Sequence, residues 1–193
     1  MVVNILKTLP WYLVGAAVFA VPSILLIIAL LAPMDVESTF FATDWVASAF
    51  MDEETVTEDG LDKYTSAIEF NIMFAWLNIN LLIVTIIFSL GWAIGSHFLN
   101  IDEPGKAKFF GITWTILSAV LVIFLVIVNL YFLSWGSNFY ISQYITTQDV
   151  SSIMIMTTIY YGLMYWLSCI LGSARQARSA VLFANQLPAR NFL

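Results

Sequence analysis

Four long stretches of this chain carry no charge at all, and that constrains its fold more than any motif in it. Residues 8–34, 70–101, 109–148 and 150–174 lack Asp, Glu, Lys and Arg. Crossing the roughly 30 Å hydrocarbon core of a bilayer takes about 20 apolar helical residues, and each stretch holds a run of that length. Soluble domains are about 45–50% apolar and about 25% charged. Here the figures are 61% and 10%, so four such runs cannot be the core of a water-soluble domain. The expected class is all-α: a polytopic integral membrane protein, a four-transmembrane-helix bundle forming one membrane domain over residues 1–193. The spans are expected at about 10–31, 68–99, 109–133 and 151–172. An external acidic loop (32–67), a cytoplasmic turn (100–108), an external loop (136–149) and a cytoplasmic tail (173–193) complete it.

The remaining charges sort by side. Lys7, Lys106, Lys108, Arg175, Arg178 and Arg190 fall in the first, third and fifth segments outside the spans; the other two hold only Lys63. Excess Lys and Arg marks the cytoplasmic face, so both termini are expected in the cytoplasm, in a bacterial cytoplasmic membrane or its equivalent. The first apolar run is too long for a signal-peptide core of about 7–15 residues and reads as a true span. Ten acids lie between positions 35 and 69. They read as a solvated loop, with cation or basic-partner binding left open; their spacing does not match an EF-hand. Ahead of them, Phe40, Phe41 and Trp45 recur at helix-like spacing and are candidates to face a partner or to lie in the interface. Arg175 and Arg178 suit anionic lipid or a docking partner. The tail is expected to continue the fourth helix to about residue 186 and to break before Pro188.

Faces follow from 100° per residue. In the second span Asn71, Ala75, Asn78, Leu82, Thr85, Ser89, Ala93 and Ser96 share a line that is mostly small or polar. The opposite face carries Asn80 and the pair Gly91 and Gly95, a GxxxG spacing that permits close helix contact. In the third span Gly111, Thr115, Ser118, Val122, Asn129 and Gly136 align. In the fourth, Thr157, Thr158, Tyr161, Tyr165, Ser168 and Gly172 align, with Ser168 and Gly172 in small-xxx-small spacing. The first span is narrow at Gly15, Ala16, Ala17 and Ala20. Pro10 suits its first turn and Pro22 is expected to kink it. Trp11, Tyr12, Trp92, Trp114, Tyr165 and Trp166 read as the inner aromatic belt, and Trp45, Tyr64, Tyr131, Trp135, Tyr140 and Tyr144 as the outer one.

No residue set names a reaction. Proton- or sodium-driven transport usually needs an ionisable group deep in a span, and none is there. One His and one distant Cys (Cys169) cannot build a metal site, so no metal or cofactor is expected. An acidic chain is a poor nucleic-acid binder. Four spans, inside termini and a long first external loop are similar in outline to claudin-like and other tetraspan proteins, but their paired external cysteines are missing here. The leading expectation is a non-catalytic structural or accessory subunit of a larger membrane assembly. Its partners would be lipid and other membrane subunits or copies of itself. An oligomeric channel or facilitator pore lined by Asn71, Asn78, Thr85 and Ser89 is the alternative. A membrane enzyme using His97 and Asp102 ranks last.

Overall fold

The computed structural model describes residues 2–31, 61–98, 106–136, 147–174, 177 and 180–182. Side chains are described for 8–31, 71–97, 109–132, 151–174, 177 and 180–182. These residues form four α-helices: α1 (Val2–Leu31), α2 (Leu61–Phe98), α3 (Lys106–Gly136) and α4 (Thr147–Gly172). Each contains a segment long and apolar enough to cross a membrane, at Thr8–Leu31, Asn71–His97, Phe109–Phe132 and Ser151–Gly172. No strand occurs among the described residues.

The helices outrun their apolar segments. α2 is 38 residues long and begins within the stretch expected as loop. Its opening residues include Asp62 and Lys63, so the helix extends beyond the uncharged stretch. α1 starts at Val2, so Pro10 lies in the helix interior and not in its first turn. The helix carries both Pro10 and Pro22 without interruption. Each proline lacks the N–H that would bond four residues back, which concerns the Leu6 and Val18 carbonyls.

Two compact units make up the chain. One combines Met1–Ala20, Ile83–Phe124 and Tyr160–Leu193; the other combines Val21–Leu82 and Leu125–Ile159. Every helix contributes to both. In the first unit α1 meets α4 at Gly15, where an added Cβ would lie 3.2 Å from the Ser168 Cα and 3.3 Å from the Leu167 carbonyl oxygen. The narrow stretch of α1 thus serves close backbone approach. Tyr161, Met164, Phe110 and Leu121 of the same unit are fully buried. In the second unit Leu77, Leu81, Leu125 and Ile153 are buried around polar side chains described below.

Half of the α2 span is buried by its own chain and 44% of α4, against 28% of α1 and 17% of α3. α2 is therefore the most enclosed helix. α3 is the least, and its buried row is not the small line that spacing indicates. Thr115 and Val122 are exposed, while Phe110, Trp114, Leu121, Leu125 and Asn129 turn inward. The inward row is rotated by roughly 60° from the small one at 3.6 residues per turn. The Thr113 and Thr115 hydroxyls donate to the Phe109 and Gly111 carbonyls of their own helix, both at 2.8 Å. A threonine satisfied in this way needs no partner helix, so bulk decides which side of α3 is covered.

The chain leaves the helix sooner than the tail pattern indicates. α4 ends at Gly172, and the next described turns are tighter, with Ala177 N–H bonding the Ala174 carbonyl and Ala180 N–H the Ala177 carbonyl. Ala177 and Val181 are buried, and the Trp166 indole N–H donates to the Leu182 carbonyl at 2.7 Å. The segment folds back on α4 because competing partners take its first groups. Ser173 Oγ bonds the Cys169 carbonyl and receives the Trp92 indole N–H at 2.6 Å, and Ala174 N–H turns to Ser96 Oγ at 3.0 Å.

Candidate functional site

Among the described residues, polar side chains inside the spans are the candidate machinery, and they are mostly turned inward. The whole α2 line is buried: Asn71, Ala75, Asn78 and Leu82 in one unit, Thr85, Ser89, Ala93 and Ser96 in the other. On α4, Thr157, Tyr161, Tyr165, Ser168 and Gly172 are buried and Thr158 is half-buried. On α3, Asn129 is buried and Ser118 half-buried. Amides and hydroxyls are costly to leave facing hydrocarbon, which explains this sorting.

In the second unit, Asn129 links α3 to α4. Its Nδ2 donates to the Leu125 carbonyl at 2.9 Å, and its Oδ1 lies 2.9 Å from the Thr157 hydroxyl, which is also 2.7 Å from the Ile153 carbonyl. Asn78 Nδ2 donates to the Phe74 carbonyl at 2.8 Å.

In the first unit, α1, α2 and α4 meet closely. A Cβ on Gly172 would lie 2.9 Å from Tyr12 Cδ2 and 3.1 Å from Ala93 Cβ, so only glycine fits. The Tyr12 hydroxyl is 3.1 Å from Ser89 Oγ. Both hydroxyls also reach the Ile86 carbonyl, Ser89 Oγ at 3.2 Å and the Tyr12 hydroxyl at 3.5 Å, so either can donate to the other. One turn further along, Thr8 Oγ1 lies 2.7 Å from His97 Nε2, and the ring also faces the Gly172 backbone. These groups rim a recess of about 20 Å³ lined by Thr8, Leu9, Tyr12, Ala93, His97 and Gly172 among others. That is room for about one water.

Between α3 and α4, the Trp114 and Tyr165 rings stack at 6.3 Å. The Tyr165 hydroxyl lies beside Ser118 and the Cys169 thiol, and the Trp114 N–H beside the same thiol, none at full hydrogen-bond geometry. Thr85 Oγ1 and Ser168 Oγ are buried without a partner among the described residues. No group of three or more His, Cys, Asp or Glu side chains is brought together there.

Several expected positions sit elsewhere. Gly91 is exposed and Gly95 half-buried, and a Cβ at either would meet nothing within 4 Å among the described residues. Neither glycine is therefore pressed against a described helix of this chain. Phe40, Phe41, Trp45, Arg175, Arg178 and Asp102 lie outside the described residues. Of the inner aromatic belt, Trp11 is exposed, but Tyr12, Trp92, Trp114 and Tyr165 are buried and hold helices together. Spacing alone did not single out Thr8–His97, Tyr12–Ser89 or Trp92–Ser173. An aromatic near a span end looks the same whether it faces lipid or a neighbouring helix. No protein-family model, curated protein or solved structure matches this chain.

Proposed function

We propose that this chain is a non-catalytic subunit of a membrane assembly, inserted by its four apolar helices with both termini on the cytoplasmic side. The observation that carries this reading is the division of its surfaces. Most polar side chains of the spans are turned into the chain, and the exposed surface of the spans is broad and apolar, most of all on α3, of which only 17% is buried. Such a surface suits lipid and neighbouring helices, joined by van der Waals packing and occasional polar contacts.

The reactive groups are absorbed in packing. Cys169 is buried against Tyr165 and Trp114, and His97 ties α1 to α2 beside a recess too small for a substrate. The alternative of an oligomeric pore needs Asn71, Asn78, Thr85 and Ser89 on the outside of the chain, where copies could surround them; their burial inside a single chain weighs against it. Orientation rests on the distribution of Lys and Arg.

Extraction from native membranes in mild detergent, followed by native mass spectrometry, tests the proposal. The expected species is heavier than one 21.7 kDa chain and contains other membrane subunits or further copies. A lone monomer, with nothing recovered by prior crosslinking, overturns it.

A further inference from the structure

One asparagine in the spans is left facing outward. Among the asparagines of α2, Asn71 and Asn78 are buried, while Asn80 is half-buried on the face that also carries the exposed Ile72 and Trp76. Asn80 Nδ2 donates one hydrogen to the Trp76 carbonyl at 2.8 Å. Its second N–H and its Oδ1 meet no partner among the described residues. Half-buried Thr113 and exposed Thr115 of α3 differ in this respect, since their single donors are satisfied by their own helix.

Depth makes the difference matter. At 1.5 Å per residue, Asn80 lies about 13 Å along the helix from Asn71 and about 25 Å from His97, the ends of the apolar segment. A short amide side chain cannot reach either interface from there, unlike a lysine or arginine. An amide left in hydrocarbon is strongly unfavourable unless something bonds it. The missing partner must therefore offer both a donor and an acceptor at that depth.

We infer that the Ile72–Trp76–Asn80 face of α2 binds the same face of a second copy, with the two Asn80 amides hydrogen-bonded to each other across a two-fold axis along the membrane normal. Two features select a second copy over another protein. An amide complements itself, the free N–H of each answering the Oδ1 of the other. Copies inserted in one orientation also carry Asn80 at one depth, so a symmetric pair matches the groups without further adjustment. The inference rests on the reading of the chain as an assembly subunit and names one of its partners.

The test is single-molecule photobleaching of the full chain, labelled at its N-terminus and reconstituted in vesicles over a range of protein-to-lipid ratios. Wild type is expected to pass from one bleaching step to two as density rises. Asn80→Leu is expected to weaken that dimer at least tenfold, Asn80→Gln to retain most of it, and Thr115→Val on α3 to leave it unchanged. Helix content of each variant, followed by circular dichroism, separates lost pairing from lost folding. A wild type that stays monomeric at every density overturns the inference. So does a dimer indifferent to Asn80→Leu, which leaves the subunit reading standing. A native complex that needs Asn80 but contains one copy beside a different protein also overturns it and supports that reading.

Discussion

Gly172 and Gly91 lie on neighbouring spans, and a sequence pattern treats them alike as small residues of a packing motif. Their surroundings are opposite. A methyl group at Gly172 would press on Tyr12 and Ala93 at 2.9–3.1 Å, whereas one at Gly91 would meet nothing within 4 Å. Gly172→Ala is therefore expected to destabilise the protein by about 1–3 kcal/mol, the usual cost of overpacking. Gly91→Ala is expected to be neutral, or stabilising by up to about 1 kcal/mol through helix propensity. Unfolding midpoints in mixed micelles compare the two directly, and equal midpoints would contradict the contact at Gly172. The same distinction separates Trp11 from Tyr12. Both are aromatic, adjacent and near a span end, but one is exposed and the other bonds Ser89.

At the scale of elements, the period of the polar residues was a reliable guide for α2 and α4 and a poor one for α3. Asparagine cannot satisfy both its donors and its acceptor within its own helix; Asn71, Asn78 and Asn129 accordingly turn inward, and Asn80 is the exception. Threonine and serine can bond their own i−4 carbonyl and so are free to face either way: Thr115 faces out and Thr157 faces in, each bonded to its own helix. The α3–α4 link at Asn129 and Thr157 gives this a measurable form. Thr157→Val should cost about 0.6 kcal/mol, the average for a hydrogen bond between membrane helices, and no more than about 1.7 kcal/mol. In a double-mutant cycle with Asn129→Leu, the two losses should be strongly non-additive. Additive losses would mean that the 2.9 Å contact contributes nothing. The end of α4 depended on side chains from another helix. Trp92 and Ser96 take up Ser173 and Ala174, and nothing in the tail's own residues announces those partners.

For the molecule as a whole, the sidedness proposed from the distribution of Lys and Arg has a direct test. Thr55→Cys, in the acidic segment, is expected to react with a membrane-impermeant maleimide added to intact cells. The native Cys169, fully buried, should stay unmodified until the protein is denatured. Labelling of Thr55→Cys only after lysis would reverse the orientation. Amino-acid order by itself determined that the chain is helical, that four segments suit a bilayer in length and composition, and that the polar line of α2 is buried. Each of these depends on a property that one residue or one helical period carries alone: transfer cost, length, or an amide that needs a partner. Tertiary structure decided which glycines are crowded, which aromatics hold helices together, which side of α3 is covered, and that Asn80 is left outside. Those outcomes depend on what stands opposite each residue, and in spans apolar on nearly every side many opposing arrangements share the same hydrophobic pattern.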